Sequence, residues 1–200
     1  MWKKEVGKRQ NRKLIKIDAH GGHGGTFWDD GAFTGIREIT LVYDHCIDSI
    51  RIEYDLNGKP VLAEKHGGAG GQLIAHVKLQ YPDEFLTMVS GYLSPVVRGG
   101  TPVVRCLTFK SNKRSWGPYG VEQGTPFSFS MDGGAIVGFH GRSGWYLDSI
   151  GFRLAPLHNR GGLQDMFRQK LRSFGALASR TLGYNDVEEG NPVRTAKVSG

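Results

Sequence analysis

The sequence predicts an all-β protein, and three observations carry that expectation. Between residues 21 and 157 the chain is a succession of short segments rich in Val, Ile, Thr, Phe and Tyr, with apolar and polar residues alternating. Turn residues separate the segments, and most of the 30 glycines fall in this stretch. No segment before residue 160 has helical spacing. Taken in order, GIREITLVY (35–43) sets Ile39, Leu41 and Tyr43 on one face. IDSIRIEY (47–54) does the same with Ile50, Ile52 and Tyr54, and AHVKLQY (75–81) with Val77, Leu79 and Tyr81. VVRCLTFK (103–110) alternates Val103, Arg105, Leu107 and Phe109 against Val104, Cys106 and Thr108. FSFS (127–130), AIVGFH (135–140) and LDSIGFRL (147–154) continue the style. Turns are expected at Asn57-Gly58, ahead of Lys59-Pro60, at Gly117-Pro118 and at Asp132-Gly133-Gly134. A sandwich, a barrel and a prism all fit this pattern.

Near residue 157 the style changes. GGLQDMFRQKLRSFGALAS (161–179) spaces Leu163, Met166, Phe167, Leu171, Phe174 and Leu177 at three or four, one face of an amphipathic helix. Three regions are therefore expected: a basic N-terminal arm (1–13), a β body (14–157) and a C-terminal tail (158–200) holding that helix. The net charge of +7 in 200 residues sits at the two ends, and the body is close to neutral. Without a surplus of Lys and Arg to neutralise phosphates, the body is not expected to bind nucleic acid. No apolar run approaches the ~18 residues of a membrane span. Two cysteines, Cys46 and Cys106, cannot form a disulfide framework, and the basic N-terminus lacks the apolar stretch of a secretory signal. These features predict a cytoplasmic or nuclear protein.

An internal echo points to pseudo-symmetry. GGHGG (21–25) returns as GGAGG (67–71). Gly144-x-x-x-Asp148 and Asp44-x-x-x-Asp48 are a second pair, each followed by Ser-Ile. The glycine loops lack the Gly-Lys-Ser/Thr ending of a phosphate loop. Gly144-Trp-Tyr-Leu-Asp148 offers more chemistry. An ionised Asp accepts two hydroxyl hydrogen bonds, neighbouring backbone N–H groups supply donors, and Trp and Tyr rings cover the apolar face of a sugar. The same residues also suit a plain sheet edge with Asp capping a turn. Catalytic constellations are lacking: there is no HExxH, GxSxG or CxxC. His20 and His23 have no second ligand pair at zinc-site spacing. A glycosidase needs two carboxylates across a cleft, and Asp29, Asp30, Asp44, Asp48 and Asp148 show no pattern that pairs them.

An ordered set of pieces resembles the jacalin-related plant lectins. They are GGHGG followed by WDDGAFTGIREI (28–39), YDLNGKP (54–60), YPDEFLTMVSGY (81–92), VVRCLTFKSNKRSWGPYG (103–120), GTPFSF (124–129) and IVGFHGRSGWYLDSIG (136–151). The resemblance implies a β-prism of three four-stranded antiparallel Greek-key sheets with pseudo-threefold symmetry. It implies carbohydrate binding without catalysis, metal or cofactor. Carried over, the site is Gly25, Trp145 and Tyr146 through their backbone N–H groups, Asp148 through its carboxylate, and Gly144 making room for the turn. The loop near 92–101 would shape specificity. The chain runs unbroken through GGHGGT, which resembles mannose/glucose-preferring members. The Trp145-Tyr146 pair instead resembles galactose-preferring ones. A second site, as in some mannose binders, would use Gly71, His45, Cys46 and Asp48, with Asp44 standing where the family has Gly. A shallow single-sugar site of millimolar strength, about 4 kcal/mol, predicts a homo-oligomer that gains avidity. The alternative on the same prism is a protein-interaction module acting through the basic arm and the tail helix.

Overall fold

The computed structural model describes residues 14–157. The basic arm and the 161–179 segment lie outside the described residues. Within them the chain forms thirteen strands and no helix. In chain order they are β1 (Ile15–Gly21), β2 (Thr26–Asp29), β3 (Gly35–Tyr43), β4 (Ile47–Leu56), β5 (Lys59–Leu62), β6 (His66–Gly67) and β7 (Leu73–Lys78). Then follow β8 (Leu86–Pro95), β9 (Pro102–Ser111), β10 (Ser115–Gly120), β11 (Thr125–Ser130), β12 (Gly134–Ser143) and β13 (Leu147–Pro156).

They build three antiparallel sheets, ordered β1-β13-β12-β2, β5-β4-β3-β7 with β6 also on β4, and β10-β9-β8-β11. Each is a Greek key: three strands meander and the fourth returns beside the first. In the first sheet the key is closed by the first and last strands of the described residues, β1 and β13, which pair side by side. The second sheet has five strands where four were expected. Its edge partner of β4 is one strand broken by residues 63–65, with β5 opposite Glu53–Leu56 and β6 opposite Ser49–Ile50. The corresponding edges β1 and β10 break their register at the same place, between Ile17 and His20 and between Trp116 and Tyr119. Gly117-Pro118 is therefore a bulge inside β10, not the turn expected from its composition, because an edge strand tolerates the missing N–H of proline. The Asn57-Gly58 turn forms, with φ of 54° and 86°. The strand expected over 75–81 ends at Lys78, and Leu79 turns away with its N–H on the Arg37 carbonyl at 2.9 Å.

The inner faces of the sheets meet in one core. Ile39, Leu41, Ile50, Ile52, Tyr54, Leu107, Phe109, Phe139 and Phe152 are fully buried there. Phe152 takes Phe139 edge-on at 5.6 Å and Phe129 in a stack at 5.5 Å. A buried polar chain ties the first sheet to the second. Tyr54 donates its hydroxyl to Asp30 at 2.8 Å and accepts the Phe139 N–H at 3.2 Å. His66 reaches the other Asp30 oxygen at 2.7 Å and stacks on Trp28 at 3.8 Å. The hairpin loops 44–46, 96–101 and 144–146 and the glycine loops 21–25, 67–71 and 120–124 gather at one end. Leu14 and Leu157 lie at the other.

Candidate functional site

Each sheet brings a hairpin loop and a glycine loop together in the same way. Gly22 donates its N–H to the Asp148 carbonyl at 2.9 Å, Gly68 to the Asp48 carbonyl at 3.0 Å, and Val121 to the Arg105 carbonyl at 3.0 Å. The glycine loop begins and ends on a positive φ in all three: Gly21 and Gly25, Gly67 and Gly71, Gly120 and Gly124. Glycine, without a Cβ, enters this backbone region at no steric cost. The third copy, Gly120-Val-Glu-Gln-Gly124, was not anticipated. The recurring G-x-x-x-G spacing ahead of a strand was the signal for it.

In the first copy Gly25, Gly144, Trp145, Tyr146 and Asp148 come together. The Gly144 N–H donates to the Tyr146 carbonyl at 3.0 Å, closing the tight hairpin between β12 and β13. A side chain on Gly25 would collide with the Ser143 carbonyl, and one on Gly24 with the Asp148 carboxylate. At Gly144 an added carbon would stand 3.3 Å from Gly25 Cα and 3.6 Å from Asp148 Oδ2. Gly144 thus keeps the space between loop and carboxylate open. The N–H groups of Gly25, Trp145 and Tyr146 enter no strand ladder and no turn hydrogen bond among the described residues. Asp148 is 7% exposed. Burial pushes its carboxyl above the ordinary range, against the Gly144 N–H and the charge of Arg142, which pull it down. Trp145 is 84% exposed. The Thr101 hydroxyl, from the loop before β9, borders Gly24. An anionic acceptor, free amide donors, an empty space and an exposed ring suit adjacent hydroxyls on a sugar.

The second copy also assembles. Gly71, His45, Cys46 and Asp48 converge, and the Asp44 N–H donates to the Cys46 carbonyl at 3.1 Å. Its interior differs. Where Gly144 leaves space, Asp44 sets a carboxylate, whose Oδ1 accepts the Gln72 N–H at 3.1 Å. Asp48 Oδ2 is buried with no hydrogen-bond partner among the described residues. An added carbon on Gly71 would lie 2.8 Å from that oxygen, so position 71 has no room for a side chain. Burial and the neighbouring Asp44 both push the Asp48 carboxyl upward. Burial pushes the Cys46 thiol up to about 11, leaving it neutral.

The remaining carboxylates named as catalytic candidates have structural partners. Asp29 pairs with Arg153 at 2.6 Å and Lys16 at 3.3 Å, and Asp30 serves Tyr54 and His66. Among the described residues no three His, Cys, Asp or Glu side chains group as a metal site requires. Sequence reasoning missed Arg142. Its Nε donates to the Gly24 carbonyl at 2.9 Å and its Nη2 to the Gly25 carbonyl at 2.8 Å. No local signal reveals it, because its partners lie 118 and 117 residues away.

Residues 17–153 match the family model of the jacalin-like lectin domain. Jacalin-related lectin 19 of Arabidopsis thaliana is 68% identical over 141 residues, covering 70% of this chain and 80% of that protein. A galactose-specific lectin of Morus indica is 46% identical, covering 66% of this chain and 84% of that protein. A mannose-specific jacalin-related lectin from Morus nigra, solved with mannose, superposes with a TM-score of 0.69 at 47% identity, covering 71% of this chain and 94% of that one. The matched span contains all three sheets and both glycine–aspartate loop pairs, and the chain belongs to the jacalin-like lectin family of carbohydrate-binding proteins.

Proposed function

We propose that this lectin binds mannose- or glucose-type glycans, without catalysis, at Gly25, Trp145, Tyr146 and Asp148. The carrying observation is the Asp148 carboxylate beside the space that Gly144 leaves open, ringed by unclaimed N–H groups. Adjacent sugar hydroxyls donate to the carboxylate, and the amides of Gly25, Trp145 and Tyr146 donate to the sugar oxygens. The chain is continuous through Gly24-Gly25-Thr26, so Gly25 offers a neutral amide rather than a charged amine. The mannose-specific Morus nigra relative supports the same preference. Galactose is the second reading, favoured by the exposed Trp145 ring and by the galactose-specific Morus indica relative.

A single-sugar contact of this kind is weak, about 4 kcal/mol, so we further propose that the protein works as a homo-oligomer with several sites facing one glycoprotein. Cys46 and Cys106 are free, buried thiols, which supports a reducing compartment, the cytoplasm or nucleus. The experiment is thermal unfolding with excess methyl α-mannoside and, in parallel, methyl α-galactoside. A rise with mannoside alone supports the first reading, because a ligand of the folded state alone raises Tm. A rise with galactoside alone transfers the site to the second.

A further inference from the structure

We propose that Arg142 is the positioning residue of this glycan site, holding the Gly24 and Gly25 carbonyls on one guanidinium and supplying positive charge beside Asp148. The inference rests on the site assigned above.

The loop from Gly21 to Gly25 has four glycines in five residues and little intrinsic rigidity. It is held at its start by the Gly21–Ser149 pairing and the Gly22 N–H on the Asp148 carbonyl, and the ladder resumes only at Thr26, opposite Ser143. Arg142 lies opposite Phe27 in that ladder, and its side chain crosses back over the start of β2. There the planar fork meets two successive carbonyls at 2.9 and 2.8 Å. A carbonyl and the next N–H share one rigid peptide plane, so fixing the Gly24 carbonyl also fixes the direction of the Gly25 N–H. That N–H is one of the donors offered to the sugar. Fixing it beforehand lowers the ordering cost of binding.

The charge is a second contribution. Arg142 forms no ion pair among the described residues. The Gly24 that it holds lies against Asp148 Oδ1, and from there its charge acts on the buried carboxylate, opposing the effect of burial. A sugar hydroxyl donates to the ionised carboxylate more strongly than to the acid. The other charged or titratable side chains on the elements around Asp148 are Lys16, Asp18 and His20 on β1, His23 on the glycine loop, Asp29 on β2, Arg98 on the 96–101 loop, His140 on β12, Tyr146 on the hairpin and Arg153 on β13, and all of them stay in place in the variants below.

The two contributions separate by substitution. Arg142→Lys keeps the charge but has no planar fork. Arg142→Gln loses both. In the full chain, affinity for methyl α-mannoside and methyl α-galactoside is measured by calorimetry from pH 4 to 8. The Asp148 carboxyl is titrated by carbon NMR without ligand, assigned by its loss in Asp148→Asn. Arg142→Lys is expected to weaken sugar binding about tenfold, with the Asp148 midpoint unchanged. Arg142→Gln is expected to weaken it further and to move the midpoint to higher pH. Both variants should show greater fast motion of the Gly24 and Gly25 amides. Wild-type affinity in both variants, or an unmoved Asp148 midpoint in Arg142→Gln, overturns the proposal. If the wild type binds neither sugar, the site assignment fails, and the ligand-free titration and amide motions still decide what Arg142 does. A loss of fold in Arg142→Gln leaves Arg142→Lys to decide on the clamp, and equal amide motion in that variant and the wild type overturns it.

Discussion

Arg105 and Asp148 occupy the same place in two copies of one structural unit, and they carry opposite charges. Each offers its carbonyl to the first N–H after the leading glycine of its loop, Val121 in one case and Gly22 in the other. The Asp148 side chain faces an open space. The Arg105 side chain fills its own: Nε donates to the His45 carbonyl at 2.9 Å and Nη1 to the Pro95 carbonyl at 3.0 Å. The third copy has therefore become a brace, and one of its supports is the hairpin of the second copy.

Removing that brace has a measurable effect. Arg105 is 8% exposed, and its hydrogen bonds join the third sheet to the second. Arg105→Met keeps most of the apolar stem but orphans the His45 and Pro95 carbonyls. A charged hydrogen bond of this kind contributes ~1.5–3 kcal/mol. The expected loss in Tm is about 4–8 °C. Sugar binding at Asp148 should persist, since the Arg105 side chain donates to His45, Pro95 and Gln123 and not to the 21–25 loop. An unchanged Tm in calorimetry would show that the brace contributes nothing.

Asp148→Asn should separate function from stability. Burial raises the carboxyl's folded-state pKa above its unfolded value. Between those two values the folded state holds more protons than the unfolded one, so stability falls as pH rises through that window. At neutral pH the charged Asp148 therefore opposes folding. Asn retains an acceptor for the Gly144 N–H and carries no charge. The variant should lose sugar binding while its Tm at pH 7 equals or exceeds that of the wild type. The difference in Tm should shrink as pH falls below the carboxylate range. A Tm clearly below wild type at pH 7 would refute this account of burial.

Legibility in the sequence followed burial in part: the edge strands β7 and β11 alternate and were read, while the central β8 was not, because a bulge between Leu86 and Met88 breaks its period. Strands β3, β4, β9, β12 and β13 could be read because a buried face imposes alternation, as Ile50, Ile52 and Tyr54 illustrate. The edge strands β1, β2, β5, β6 and β10 were not read from pattern. They are short, mostly exposed and interrupted, as Gly117-Pro118 shows, so no period develops. For the site, the glycine–aspartate echo found both Asp148 and Asp48. It missed the third copy, where Arg105 replaces the carboxylate and only Gly120 and Gly124 remain of the glycine loop. Arg142 was invisible because its role depends on the β2–β12 register.

Acid stability should depend on Glu84. Its side chain is fully buried and takes hydrogen bonds from Arg114 at 3.0 Å, the Gln80 N–H at 3.0 Å and the Ser111 hydroxyl at 2.8 Å. Burial alone would raise its pKa, but these donors outweigh it and hold the carboxyl down to about 2, from 4.5. A depressed carboxyl stabilises the fold fully above its unfolded value. That contribution disappears as pH falls from 4.5 to about 2. Glu84→Gln should therefore be less stable than wild type at pH 7, and the gap should narrow across this window. Urea unfolding at a series of pH values measures it. Parallel curves for the two proteins would count against the assignment.

The second copy tests how much one residue controls. Asp48 has the same backbone setting as Asp148, and its Oδ2 is buried without a partner. The obstacle beside it is Asp44, which places a second carboxylate where the first copy has Gly144 and ties down Gln72 at 3.1 Å. Two neighbouring carboxylates disfavour the charged form that a sugar hydroxyl requires. Asp44→Gly removes the negative charge, frees the Gln72 N–H and restores the Gly-x-x-x-Asp spacing of the first copy. The expected result is a rise in sugar stoichiometry from one to two per chain, read by calorimetry, with the second site lost again in Asp44→Gly/Asp48→Asn. A stoichiometry that stays at one would show that the Asp44 carboxylate is not what keeps the second site shut.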